Sequence, residues 1–357
     1  MISSFSFPTN TLHGVGSLDQ LPERLARFGM KRPLVVTDRG LLGTDAFRLL
    51  QGVVPEGATV FSDVHPNPVE ADVVAGVEAW QSGKSDGIIG FGGGSALDVA
   101  KILRPAVASS GEKWRDLTWS DDPGPLPPFV AVPTTAGTGS EVGRSSVIIF
   151  GKTKRVIFHP ALLANLVILD PRVTAGLPPA LTAATGVDAL THCIESFTSP
   201  SFHPLCDAIA LEGARIAFAN LPRAVESGND LEARGMMQIA AAMGGIAFQK
   251  DLGAAHSLSH PLSAHFGLHH GLANGLCLLP VMRYNAQHKP GIYHRLGVAI
   301  GLEKATDANF IEATANLLQR IGISGGLRAK GIDEASLPTL AEAAFKDSCH
   351  LTNPVPV

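Results

Sequence analysis

Residues 87–101 read Gly87-Ile-Ile-Gly-Phe-Gly-Gly-Gly-Ser-Ala-Leu-Asp-Val-Ala-Lys101. A short apolar run enters three consecutive glycines, and the apolar spacing that follows, Ser95 to Leu103, fits an amphipathic helix. A strand, a glycine turn and a helix in that order place backbone N–H groups at a helix N-terminus, where the partial positive charge favours phosphate. Many α/β turns need glycine for conformational reasons alone, so this turn by itself leaves a phosphate site and a plain turn both open. The spacing GFGGGS also differs from the usual GxGxxG fingerprint, which excludes an ordinary first-turn dinucleotide assignment.

The neighbouring sequence extends the same pattern. Apolar runs at Pro33–Thr37, Ala58–Phe61, Phe129–Val132, Ser146–Phe150 and Leu166–Leu169 alternate with helical segments such as Ala71 to Gln81. That alternation predicts a mostly parallel α/β sheet. After Asp170-Pro171 the texture changes: Ala and Leu rise, β-branched runs thin out, and Pro204–Asn220 and Asp230–Ala247 read as long helices. The boundary falls near residues 171–178, among Pro171, Gly176, Pro178 and Pro179. The expectation is an α/β domain over residues 1–174 and an all-α domain over 175–357.

The 357 residues are 45% hydrophobic, enough for two cores, and only 17% charged, with a net charge of −4 and no block of like charge. Nucleic acid and anionic membrane are not expected as partners. Cys193, Cys206, Cys277 and Cys349 are scattered, without a CxxC pair, which suits a reducing compartment. The first ten residues, MISSFSFPTN, lack a basic region followed by an apolar core, and no apolar run approaches a membrane span. A cytoplasmic location is expected.

A second polar turn, residues 132–141 (VPTTAGTGSE), follows a strand and carries Thr134, Thr135, Thr138 and Ser140 around two glycines. So many hydroxyls exceed what a connection needs, and they suit ribose, phosphate or nicotinamide. Asp38 directly follows the strand at Pro33–Thr37, where a carboxylate can accept hydrogen bonds from a ribose and repel an added 2′-phosphate; taken alone, it reads as a loop Asp.

Asp188 and His192, in residues 185–195 (TGVDALTHCIE), stand four apart, on one face of a helix. His256 and His260 share that spacing within residues 253–271 (GAAHSLSHPLSAHFGLHHG), where five of the thirteen histidines cluster. A carboxylate with several imidazoles suits Fe²⁺ or Zn²⁺ and does not suit Ca²⁺ or Mg²⁺. Spacing alone nominates His256 and His260 as a ligand pair and leaves His265, His269 and His270 undecided.

These motifs, GFGGGSALDVAK, PTTAGTGSE with GVDALTHCIE, and AHSLSHPLSAHFGLHHGLAN, occur in one order. Together they resemble the iron-containing (group III) alcohol dehydrogenases of the dehydroquinate synthase-like superfamily, over nearly the whole chain. The resemblance implies an N-terminal nucleotide-binding α/β domain and a helical metal domain. It places metal ligands at Asp188, His192, His256 and His270, with Fe²⁺ expected and Zn²⁺ an alternative. His260 then becomes a catalytic residue beside nicotinamide and substrate. Cofactor residues fall on Asp38, Asn67, Gly93, Gly94, Ser95, Asp98, Thr134, Thr135, Thr138 and Lys154, with Asp38 implying NAD over NADP. The activity implied is reversible hydride transfer between NAD(H) and a small primary alcohol or aldehyde, a short diol or a hydroxy acid. The chain's size by itself leads to the expectation of a homo-oligomer, a dimer first.

The chain departs from the family's common pattern in its shorter helical half, in His159-Pro160 where Ser-Pro is common, and in Asn353-Pro-Val355 where Asn-Pro-Arg is frequent. These bear on substrate scope more than on chemistry, as does Phe248, which falls near the family's substrate pocket. A maleylacetate reductase is the nearest alternative, but such enzymes resemble this chain without the full ligand set. A dehydroquinate synthase-like lyase would need a Lys- and Arg-rich pocket, which the metal region lacks. A non-catalytic NAD- or metal-binding protein on the same scaffold is the third reading.

Overall fold

The computed structural model describes residues 9–108, 113–151 and 153–357, so most of the MISSFSFPTN segment lies outside the described residues. The described strands are β1 (Asn10–His13), β2 (Pro33–Val36), β3 (Thr59–Phe61), β4 (Gly87–Gly92), β5 (Phe129–Pro133), β6 (Ser145–Phe150), β7 (Thr153–Phe158) and β8 (Leu166–Leu169). The helices are α1 (Leu21–Arg27), α2 (Asp45–Gln51), α3 (Glu70–Gly83), α4 (Gly94–Ala108), α5 (Pro179–Thr198), α6 (Pro204–Glu226), α7 (Leu231–Ala247), α8 (Ala254–Phe266), α9 (His270–His288), α10 (His294–Ala299), α11 (Asp307–Arg320) and α12 (Leu337–Phe345). Two compact units result. One holds the described residues up to Thr135 together with Ser140–Gly176, and the other holds Leu177–Val357 together with Ala136–Gly139.

The first unit is built on a six-stranded parallel sheet in the order β1-β8-β5-β4-β2-β3. Strands β2, β4, β5 and β8 are buried along their length, as strands covered on both faces require. The strand order reverses between β2 and β4, and ligands of open parallel sheets bind beyond the carboxyl ends of strands at such a switch point. Asp38 follows β2 there, and Gly93 follows β4. The apolar run at Ser146–Phe150 is not part of this sheet: β6 forms a separate antiparallel hairpin with β7. An apolar run carries no information on the direction of its partner. Strand β1 pairs with β8 at the sheet edge, and its exposed, polar residues hide it from a periodicity reading.

The second unit is helical throughout. Helix α5 is buried over nearly all of Thr182–Thr198, its polar stripe Asp188, His192 and Glu195 included. Asp230 caps α7, accepting from the N–H of Ala233 at 3.0 Å. Helix α8 continues through Pro261 and stops at Gly267, whose φ of 65° ends the helix in the left-handed region. Helix α9 starts against α5: a Cβ on Gly271 would lie 2.0 Å from the carbonyl oxygen of Ala184. Only glycine permits that approach, which sets His270 beside Asp188. No helix among the described residues is long and apolar enough to cross a membrane.

Candidate active site

Asp188, His192, His256 and His270 each offer one donor atom, and the four atoms lie within 4.8 Å of one another. Helix α5 supplies the first two residues a turn apart, α8 supplies His256, and α9 opens with His270. Oδ1 of Asp188 lies 3.7 Å from Nε2 of His192, 3.8 Å from Nε2 of His256 and 3.4 Å from Nε2 of His270. A tetrahedral shell with bonds of about 2.0–2.2 Å sets ligand atoms roughly 3.3–3.6 Å apart. The donor set and its spacing therefore fit Fe²⁺ or Zn²⁺.

The surroundings hold two of these donors, His256 and Asp188, in place. Glu195, seven residues after Asp188 on the same stripe of α5, lies 2.6 Å from Nδ1 of His256 and also accepts the N–H of Ala255 at 2.7 Å. With its Nδ1–H donated to Glu195, His256 turns Nε2 toward the cluster, where the neutral ring would offer its lone pair. Asn274, one turn after His270, donates through Nδ2 to Oδ1 of Asp188 at 2.8 Å. Thr138 donates its hydroxyl to Oδ2 of Asp188, also at 2.8 Å. The turn bearing Thr138 is seated by glycine: Gly139 has φ of 71°, and a Cβ there would lie 2.5 Å from the carbonyl oxygen of Ala241.

Burial pushes the imidazole of His192 down to about 4 against the attraction of Asp188, and it holds His270 well below the ordinary range. Neutral rings are what metal ligation requires. Burial acts in the same direction on His256, but the carboxylates of Asp188 and Glu195 outweigh it and raise that ring to about 9. Asp188 stays ionised: burial opposes this, yet the neighbouring imidazoles keep its pKa well below the carboxylate range.

His260 does not join the donor group, although its spacing from His256 matches a ligand pair. Its ring lies parallel to that of His270, with centroids 5.4 Å apart and planes at 18°, while its Nδ1 sits 2.7 Å from Oδ2 of Asp347. Phe248 stacks on His192 at 5.6 Å and is partly exposed. His265 and His269 contribute no donor atom to the cluster.

In the α/β unit the two polar turns meet. The N–H of Thr134 donates to the carbonyl of Gly92 at 3.0 Å, and a Cβ on Gly93 would lie 3.5 Å from the methyl of Thr135. An Oδ atom of Asp38 lies 3.7 Å from where Gly92 would carry a Cβ, so the carboxylate overlooks the same turn. Ser95 donates its hydroxyl to the carbonyl of Pro66 at 2.6 Å, which fixes the loop bearing the exposed Asn67. Lys154 is exposed on β7. Asp98, expected at the cofactor, spends its carboxylate on Ser140 (2.6 Å), on the N–H of Val147 (3.0 Å) and on Lys101 (3.2 Å). Thr138, also expected there, has its hydroxyl on Asp188. His159 caps a short turn, its Nδ1 accepting the N–H of Ala161 at 3.1 Å. Asn353 holds the start of α8, accepting the N–H of Ala254 at 3.2 Å.

Glu195, Asn274 and Asp347 have no assigned role in the sequence reading. The first two are legible in principle, since they continue the ligand stripes of α5 and α9 at helical spacing. Asp347 lies 87 residues from His260, and no local pattern connects them.

A nucleotide-type sheet and a three-histidine, one-carboxylate centre define the class as a metal-dependent, nucleotide-linked oxidoreductase. Residues 8–171 match the model of iron-containing alcohol dehydrogenases, and residues 182–357 match that of the C-terminal part of the Fe-containing alcohol dehydrogenase family. The 4-hydroxybutyrate dehydrogenase of Cupriavidus necator is 37% identical over 354 residues, covering 95% of this chain and 92% of that protein. The crystal structure of a 1,3-propanediol oxidoreductase superposes with a TM-score of 0.93 at 34% identity, covering 100% of this chain and 97% of that one. A sulfoacetaldehyde reductase from Bifidobacterium kashiwanohense, in complex with NAD⁺, gives 0.89 at 31% identity, with 100% and 95% covered. The chain belongs to the iron-containing alcohol dehydrogenase family, and it is an oxidoreductase that uses NAD and iron.

Proposed function

We propose that Asp188, His192, His256 and His270 hold the catalytic metal, Fe²⁺ first and Zn²⁺ as the alternative, in an NAD(H)-linked dehydrogenase of short alcohols. The observation that carries this reading is the convergence of the four donor atoms within 4.8 Å. When bound, the metal supplies Lewis acidity to the substrate oxygen and the nicotinamide exchanges the hydride. The chain's own residues do the rest. Glu195 fixes His256, Thr138 and Asn274 hold the two oxygens of Asp188, and His260 exchanges the hydroxyl proton at Nε2.

On the nucleotide side, Gly93 and Gly94 open α4 and offer main-chain N–H groups to the pyrophosphate. Thr134 and Thr135 border that turn, Ser95 and Asn67 flank it, and Lys154 adds a cation. Asp38 accepts ribose hydroxyls and disfavours a 2′-phosphate, so NAD is preferred over NADP. Beside any part in cofactor binding, Thr138 holds Asp188, and Asp98 ties its turn to Ser140 and Val147. The α/β unit, expected over residues 1–174, is assigned the nucleotide, and the helical unit, expected over 175–357 and joined by the turn Ala136–Gly139, the metal and substrate.

The named relatives act on 4-hydroxybutyrate and 1,3-propanediol. Both carry a terminal hydroxyl and a second polar end, and we extend that substrate class to this chain. The four cysteines, none in a disulfide among the described residues and three of them buried, support a reducing, cytoplasmic setting, and a homodimer is the first expectation for an enzyme of this size. An alcohol and aldehyde panel with NAD(H), run on protein reconstituted anaerobically with Fe²⁺ and in parallel with Zn²⁺, tests the reading. NADH formation from short ω-functional alcohols supports it. Full metal and NAD binding without turnover of any alcohol or aldehyde overturns it in favour of a binding protein.

A further inference from the structure

We propose that Asp347 is a positioning residue for the reaction: its carboxylate takes the Nδ1–H of His260, fixes the ring, and leaves Nε2 as the atom that meets the substrate hydroxyl. The inference rests on the catalytic reading of His260 given above.

Three bonds hold the carboxylate itself. Oδ2 lies 2.7 Å from Nδ1 of His260, while Oδ1 accepts the hydroxyl of Ser257 at 3.0 Å and the N–H of Cys349 at 2.9 Å. Ser257 sits one residue after His256 on α8, so Asp347 is anchored to the helix that carries both histidines. The His260 ring is then held from two sides, by the Asp347 carboxylate at Nδ1 and by His270 stacked at 5.4 Å. An ionised carboxylate offers no hydrogen, so the neutral ring must carry its proton on Nδ1. Nε2 has no hydrogen-bond partner among the described residues and lies on a side chain that is 37% exposed. Two helical histidines four apart are thus sorted by two different carboxylates: Glu195 turns His256 toward the metal donors, and Asp347 turns His260 away from them.

The residue has a second duty, capping the short helix Ser348–Thr352 through the N–H of Cys349, so Asp347→Ala alone would confuse folding with positioning. Asp347→Asn separates the two. Its carbonyl keeps the cap, and its NH₂ group then faces Nδ1 and forces the opposite tautomer, an exchange that elsewhere abolishes most activity while leaving geometry intact.

The test uses the full-length, Zn²⁺-reconstituted protein, with steady-state kinetics, metal content and ¹⁵N-histidine NMR on the wild type, Asp347→Asn, His260→Ala and the double variant. The expected result for Asp347→Asn is a kcat lowered at least about 10-fold, an unchanged alcohol KM, one bound metal, and a His260 resonance pattern with the proton moved from Nδ1 to Nε2. The double variant should be no slower than His260→Ala, because a positioning residue has nothing left to position. An Asp347→Asn enzyme with wild-type kcat and an inverted tautomer overturns the inference, as does a second bound metal that this variant loses, since His260, Asp347 and Cys349 would then be a metal group. Full activity in His260→Ala refutes instead the catalytic reading of His260, which keeps the two failures distinguishable.

Discussion

Oε2 of Glu195 lies 2.6 Å from Nδ1 of His256, and both side chains are buried. This pair gives the metal cluster its direction, because a histidine ligates well only when its other nitrogen is held. Replacing Glu195 by Gln keeps the volume but weakens the orienting bond and removes the charge. Fe²⁺ or Zn²⁺ affinity should fall about 10- to 100-fold, measured by competition with a chelator, while NAD affinity stays constant. An unchanged metal affinity would show that packing alone orients His256.

Thr138 contributes one hydroxyl to Asp188, and Thr138→Val removes only that group. The loss of a hydrogen bond to a charged acceptor is worth about 1.5–3 kcal/mol, so metal affinity should fall roughly 10- to 100-fold with little change in NAD affinity. If Thr138→Val weakens NAD and spares the metal, the residue belongs to the cofactor site after all.

Glu141 is buried, and burial pushes its carboxyl up to about 7, with its own N–H and Lys101 pulling the other way. The folded state therefore keeps a proton that the unfolded chain releases near pH 4.5. Stability should fall as pH rises through the window from about 4.5 to 7, by on the order of 3 kcal/mol, and stay at the lower level above it. Glu141→Gln should flatten this dependence and melt several degrees higher than wild type at pH 8. Parallel melting curves for the two proteins from pH 5 to 8 would rule the effect out.

Asp38 faces the glycine turn. Asp38→Gly should raise the NADP-to-NAD preference at least about 10-fold by removing the repulsion of a 2′-phosphate. Measuring kcat/KM for both cofactors with one alcohol checks this, and an unchanged ratio removes Asp38 from the ribose site.

The legible part of the molecule is the part written in local spacing. Strand, glycine turn and helix at 87–101 and the four-residue step from Asp188 to His192 need only the chain's own periodicity. The same logic misassigns His260, since a helix sets His256 and His260 on one face without saying which carboxylate each will meet. That choice is made by Glu195 on α5 and by Asp347 beyond α12, through tertiary contacts that no window of sequence contains. Thr138 is similar: its hydroxyl signals a polar partner, but only the close seating of Gly139 on Ala241 shows that the partner is Asp188. Strand β6 reads correctly as a strand and not as a hairpin, because its partner β7 carries mostly exposed residues.

The central claim, that Asp188, His192, His256 and His270 together hold the metal, is tested most directly by metal analysis of Asp188→Ala and His270→Ala after anaerobic Fe²⁺ reconstitution, beside His260→Ala. Metal at background and no turnover are expected in the first two, with one bound metal retained in the third. Stoichiometric metal in Asp188→Ala or His270→Ala, or its loss in His260→Ala, would contradict it.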